Sequence, residues 1–375
     1  MSASSATSAS NGTNASNGMN ASNVTNASNR MNPSSGRGRG SSLQIAVLIV
    51  VVVGGMAWVG GQIARRSDHL TNLEPIPSGS DVAVRPTSHV FLIVLENKSE
   101  ADVVDAPDAP YLNDLIARFG LARDYQAIAH PSQPNYLALF SGSTQDVLDD
   151  DVHDLAVPNL ADELEAAGRT WRVFAENYPA GECFTGATSS GGPDGDGVYV
   201  RKHNPAISFT SISRSPTRCA NIQPLSAFDP GLADFELIVP NMCHVMHDCP
   251  VSTGDVWLRG FVPRILDSPA WHDDGVLFIT FDEGAEQSRR NEIPTLVIAP
   301  DVEAGFQSET AHNHYSLLRT IELGLGVDCL AESCSANTLG EFFTTAPDGG
   351  SPDGASPDGA SPGASPDGGS PDASP

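Results

Sequence analysis

The sequence predicts an α/β domain built on a mostly parallel sheet, and two observations predict it. Four short apolar runs rich in Val, Ile, Leu and Phe stand out: HVFLIVL (89–95), RVFAE (172–176), GVLFITF (275–281) and TLVIAP (295–300). They are continuous rather than alternating, which is the pattern of strands buried on both faces. Helical patterns separate them: PYLNDLIARFG (110–120), NLADELEAAG (159–168) and HYSLLRTIELGLG (314–326). Leu112, Leu115, Ile116 and Phe119 recur at helical spacing and are core candidates without chemistry. Residues 181–235, heavy in Gly, Ser and Pro, read as long loops over the sheet rim.

This domain is expected over residues 87–343, a normal size for one α/β unit. Residues 1–42 are Asn, Ser, Ala, Gly and Thr with few large apolar side chains, so they cannot offset their ordering entropy. Residues 43–64, LQIAVLIVVVVGGMAWVGGQIA, carry no charge. At about 1.5 Å per residue such a run crosses the roughly 30 Å hydrocarbon core of a bilayer. One transmembrane signal anchor is the reading; a cleaved signal peptide is the alternative, but no small-x-small site follows the run. Residues 65–86 form a linker, and 344–375 repeat Ser-Pro-Asp-Gly-Ala as an extended, solvated tail.

All six cysteines, Cys183, Cys219, Cys243, Cys249, Cys329 and Cys334, follow the apolar span. An even number on one side of a membrane points to disulfides, and so to a catalytic domain outside the cytoplasm. Closeness alone suggests the pairs 183 with 219, 243 with 249 and 329 with 334. Soft-metal ligation is the alternative, though no C-x-x-C knuckle occurs. The formal net charge of −26 argues against a nucleic-acid partner. It leaves a phosphate substrate open, because a bound cation reverses the sign of a pocket locally.

The stretch HPSQPNYLALFSG (130–142) places Ser132 between two prolines, just ahead of a helix that Pro134 starts and Tyr136, Leu137, Leu139 and Phe140 bury. Peptide N–H groups and the positive end of the helix dipole gather there, so Ser132 either caps the helix or faces a bound anion. Two polar doublets follow apolar runs: Glu96 with Asn97, and Asp282 with Glu283. In an open α/β sheet ligands bind beyond the carboxyl ends of the strands, so both doublets should enter one crevice. Hard oxygen donors converging there fit a divalent cation. Histidines stand nearby in PNMCHVMHDC (240–249), with His244, His247 and Asp248, and in HNHYSLLRTIE, with His312 and His314.

Six blocks, ENKS (96–99), HPSQPNYLALFSG, YVRKHNP (199–205), PNMCHVMHD, TFDE (280–283) and HYSLLRTIE (314–322), occur in order over about 90–326. Together they resemble the phosphoesterase family of acid phosphatases and phospholipases C, within the alkaline phosphatase superfamily. The resemblance implies a doubly wound sheet flanked by helices and hydrolysis of phosphate esters through a phosphoserine. It makes Ser132 the nucleophile and a metal ligand beside Glu96, Asn97, Asp282 and Glu283, with His314, His247 and Asp248 as further ligands. It assigns Lys202, His203 and Asn135 to substrate. An acid is expected near position 244, where this chain has histidine, and that departure bears on a second metal. The cofactor expected is one or more divalent ions, Zn, Mn, Mg or Ca. The substrate expected is a phosphorylated small molecule or a phospholipid, the second fitting a phospholipase C-type diesterase. A non-catalytic surface binder with the same fold is the reading from another class.

Overall fold

The structure is a computed structural model and describes residues 83–343, apart from 182, 192, 196, 286, 287 and 289. The expected N-terminal segment, transmembrane anchor, most of the linker and the C-terminal tail lie outside the described residues. Among the described residues no helix is long and apolar enough to cross a membrane.

The core is an eight-stranded sheet. Its strands are β1 (Val90–Leu95), β2 (Gly120–Ala122), β3 (Trp171–Ala175), β4 (Ile222–Pro224), β5 (Phe235–Val239), β6 (Val276–Phe281), β7 (Thr295–Ile298) and β8 (Gln307–Ser308). They lie in the order β8-β2-β7-β6-β1-β5-β3-β4. Every residue of β1, β5, β6 and β7 is buried, as continuous apolar runs require. β1 pairs in parallel with β5 and β6, and β3 with β4 and β5. β7, read as another parallel strand, instead runs antiparallel to both β6 and β2. An apolar run carries no direction, so only the connection length decides this.

Five helices matter for the site: α1 (Pro110–Arg118), α2 (Ser132–Ser141), α3 (Leu160–Ala166), α4 (Val251–Leu266) and α5 (His314–Leu325). Helix α1 carries Pro at N1, and its first N–H groups are held by the buried Asp255 carboxylate of α4: Tyr111 N and Leu112 N donate to Oδ1 at 2.9 and 2.8 Å. The longest helix among the described residues, α4, escaped the sequence pattern because Gly254, Gly260 and Pro263 interrupt it. Gly254 is there for close approach: a Cβ would stand 2.7 Å from the His244 carbonyl oxygen. Helix α5 is capped by Asn313, whose side chain accepts from Tyr315 N and Ser316 N. The 181–235 stretch is less irregular than expected, holding a hairpin (Thr188–Ser190 with Val198–Val200) and the edge strand β4. All three disulfides form as closeness suggested, Cys183–Cys219, Cys243–Cys249 and Cys329–Cys334.

One buried acid of the sheet gives a pH prediction. Glu236 is fully buried, and burial pushes its carboxyl up to about 7 against hydrogen bonds from Ala233 N and Gly231 N. Unfolded, the group ionises near 4.5, while the folded state keeps its proton until about 7. Its contribution is therefore complete below 4.5 and is lost as pH rises through that window, at most about 3 kcal/mol. Glu236→Gln should raise the melting temperature relative to the parent more at pH 8 than at pH 4. Equal differences at the two pH values would refute the assignment.

Candidate active site

Strand register builds the first half of the site. Leu95 and Phe281 are parallel partners, so Glu96 and Asp282 leave the sheet side by side at its carboxyl edge. The backbone extends the ladder: Asp282 N donates to Leu95 O at 2.9 Å and Glu96 N to Val245 O at 2.8 Å. Glu96 and Asp282 are fully buried and Glu283 nearly so. Asn97 takes a left-handed conformation, with φ of 50°. Its N–H donates to Asp282 Oδ1 at 3.0 Å, and its Nδ2 to Glu283 Oε1 at 3.2 Å.

Helix α2 supplies the second half. Ser132 is its first residue, one step inside the position expected, with Pro131 as N-cap. The turn before it is held by Asn135, whose Oδ1 accepts from Ile128 N at 2.9 Å and Ala129 N at 3.0 Å. Asn135 Nδ2 donates to Ala129 O at 2.9 Å and Pro131 O at 3.2 Å. The Ser132 hydroxyl is thus aimed at the strand ends, Oγ lying 3.1 Å from Glu96 Oε2 and 3.3 Å from Glu283 Oε1. It faces carboxylates, not the N–H groups of its own helix, so a simple capping role does not describe it.

Four more side chains close around these groups. One turn along α2, Tyr136 donates its hydroxyl to Glu96 Oε1 at 2.5 Å, and its ring stacks on His203 with centroids 5.2 Å apart. His203 Nε2 lies 3.0 Å from Glu96 Oε1. His130 Nδ1 meets Glu283 Oε2. Lys202 is paired with Asp150 at 2.7 Å, and its charge reaches Glu96 and Asp282.

The three carboxylates are not equivalent. Burial would raise Glu96, but the charge and hydrogen bond of His203, the Tyr136 hydroxyl and Lys202 override it and hold the group at about 2. Burial pushes Asp282 well up, aided by the neighbouring Glu96 and Glu283 charges. Burial also raises Glu283, opposed by His130. Crowded like charges with too little counter-charge would be relieved by a bound cation.

Other expected site residues stand elsewhere or do something else. His314 is fully buried, but both ring nitrogens are used: Nε2 meets Asp282 O at 2.7 Å and Nδ1 the Tyr125 hydroxyl at 3.1 Å. Burial lowers it to about 4 against the raising effect of the Asp282 carbonyl, and its Nε2 stands on the Asp282 backbone rather than among the carboxylates. His247 pairs with the exposed Asp248 at 2.7 Å, its ring 6.5 Å from that of His203. That pair sits on the rim, outside the carboxylate cluster. His244 is held at 2.8 Å by Glu176, at the end of β3. All four hydrogen bonds of Asn135 are spent on the turn, so it positions Ser132 and is not free to hold substrate. Sequence reading missed His130, Tyr136 and Asp150. Tyr136 stands four after Ser132, the helical spacing that shares its face; His130, in the bend before the helix, and Asp150 gave no such signal.

A divalent cation would meet unsatisfied oxygens here. Asn97 Oδ1 and Asp282 Oδ2 are buried without a hydrogen-bond partner, an arrangement that costs free energy unless something satisfies them. These oxygens, with Glu96, Glu283 and Ser132 Oγ, form a hard donor set suited to such an ion. Among the described residues no three His, Cys, Asp or Glu side chains already converge as a metal cluster. Glu96 is turned to Tyr136 and His203, and Glu283 to His130 and Asn97. The set fits the ion but is not preassembled.

A serine hydroxyl facing clustered carboxylates at the end of a mostly parallel sheet defines the site. The sequence profile of the Phosphoesterase family matches residues 96–328, and the chain belongs to that family. It is similar to the phosphatidylinositol-3-phosphatase of Mycobacterium tuberculosis, 36% identical over 252 residues that cover 65% of this chain and 79% of that one. It is also similar to the acid phosphatase of Aspergillus fumigatus, 29% identical over 72% of this chain. The match spans 62% of that fungal enzyme's length. A solved protein of the alkaline phosphatase superfamily from Vibrio parahaemolyticus aligns at 15% identity and a TM-score of 0.43, covering 72% of this chain and 73% of that one.

Proposed function

We propose that the chain is a metal-dependent phosphomonoesterase of acid phosphatase type that works through a phosphoserine at Ser132. The observation that carries this reading is the Ser132 hydroxyl, 3.1 and 3.3 Å from two buried carboxylates at the ends of neighbouring strands. Glu96, Asn97, Asp282, Glu283 and Ser132 would hold the ion. When bound, a divalent cation lowers the pKa of a coordinated hydroxyl and draws charge from phosphoryl oxygens.

The chain's own residues do the rest. Glu96, ionised because His203 and Tyr136 stabilise its charge, accepts the Ser132 hydrogen bond and orients the oxygen for attack. The His203 ring stacks on Tyr136 with its Nε2 3.0 Å from the same carboxylate. His314 fixes the Asp282 backbone. Attack forms the Ser132 O–P bond and expels the alcohol; water then hydrolyses the phosphoserine to phosphate and the free hydroxyl.

The substrate in this reading is a phosphorylated small molecule, and the name of the mycobacterial relative adds a phosphoinositide headgroup to the candidates. The apolar run at 43–64 and the three disulfides support a membrane-anchored protein whose catalytic domain, 87–343, lies outside the cytoplasm. Removing metal tests the reading. Hydrolysis of an aryl phosphate should fall at least about 100-fold after chelation and dialysis, and return with Zn²⁺, Mn²⁺, Mg²⁺ or Ca²⁺. Full activity in the metal-free protein would overturn it.

A further inference from the structure

We propose that Asp150 sets the charge of the phosphoryl group this site accepts, favouring a singly charged ester over a doubly charged one. The inference rests on the reading of Ser132 as the centre of a phosphoester site. Asp150 has one oxygen on each positive feature beside the nucleophile. Its Oδ1 accepts from Gln133 N, the peptide group directly after Ser132, at 3.0 Å. Its Oδ2 pairs with Lys202 Nζ at 2.7 Å. Pro134, the next residue of α2, has no N–H to offer. One N–H of the anion seat foreseen at this helix start, that of Gln133, is thus already taken by a carboxylate of the chain.

The placement is built, not incidental. Gln133 is buried, and with its amide oriented to satisfy its neighbours it donates to Asp151 O at 2.6 Å and Asp149 O at 3.3 Å. The loop is tied down further along by Arg201, bonded to His153 O at 2.9 Å and Asp154 Oδ1 at 2.7 Å. Gln133, Asp150, Asp151, Thr188, Val200 and Lys202 border a cavity of about 250 Å³. A ligand there meets Lys202 with its charge balanced. The other charged groups around Asp150 give little relief: Asp149 and Asp151 are acidic, His153 pairs with Asp149 at 2.6 Å, Arg201 is spent on the loop, and the field of Asp150 reaches Glu283.

A phosphate monoester gains its second charge above a pKa of about 6, whereas a diester carries one charge throughout. One added ligand charge beside Lys202, once its balancing carboxylate is gone and with partial screening by solvent, is worth about a fivefold change in binding. The test uses the full chain at pH 8 with an aryl phosphate as substrate. Two competitive inhibitors are compared: inorganic phosphate, mainly a dianion, and dimethyl phosphate, a monoanion. Asp150→Asn, which keeps an oxygen for Gln133 N, should tighten inorganic phosphate about fivefold more than dimethyl phosphate. The difference should shrink in 0.5 M salt. Asp150→Ala should show the same preference if its melting temperature is unchanged.

An unchanged ratio of the two inhibition constants, or equal weakening of both, would overturn the inference and leave Asp150 as an anchor for Lys202. The inhibition constants report binding, so they separate this result from the chemistry. A Ser132→Ala protein that still turned over would sink the nucleophile reading by itself.

Discussion

Replacing Ser132 with alanine is expected to lower hydrolysis of an aryl phosphate at least about 10³-fold, with the melting temperature within about 4 °C of the parent. Only one oxygen is lost. Glu96 keeps the Tyr136 hydroxyl and His203, and Glu283 keeps His130 and Asn97, so no carboxylate is stranded. A single hydrogen bond of this kind contributes about 1 kcal/mol to stability. The attacking atom has no substitute, because Tyr136, the other buried hydroxyl at Glu96, is pushed far above its ordinary pKa by burial and by the Glu96 charge. Steady-state turnover and a thermal melt on the same sample check both halves. Parent-like turnover in a normally folded variant would return Ser132 to an ordinary first residue of a helix.

Glu96→Ala should be the most damaging single change, abolishing turnover and costing about 3–5 kcal/mol of stability. The carboxylate is fully buried and receives Ser132, Tyr136 and His203. Removing it leaves three buried polar groups facing a void, and the stacked Tyr136–His203 pair loses what holds its edge. Glu96→Gln separates the two losses: the amide fills the volume and offers one acceptor, so stability should partly recover while activity does not. Urea unfolding measures the first and turnover the second. An alanine variant as stable as the parent would show that the network around Glu96 carries no structural load.

Much of this was legible in the chain. β1 and β6 announce themselves as continuous apolar runs, and the polar residues after them mark the edge where a ligand binds. Ser132 was visible through its prolines. What stayed hidden has physical causes. Helix α4 contains two glycines and a proline, accepted because Gly254 must touch the His244 backbone. The ring partners of the imidazoles stay hidden because sequence places a Cα, not the partner of a ring nitrogen; those of His314 are Asp282 and Tyr125. Asp150 reaches Gln133 across 17 residues and Lys202 across 52, through a loop with no periodicity to betray it. The cysteine pairs were readable since two of the three span only 6 and 5 residues.

The contacts that make the site are long in sequence: Ser132 meets Glu283 across 151 residues, and Asn97 meets Asp282 across 185. A half-finished chain therefore lacks the centre altogether, and no fragment missing either end of the β1–β6 pairing can assemble it. Recovery of turnover after dilution from denaturant consequently reports completed long-range closure rather than early helix formation, which makes the enzyme a timer of its own maturation.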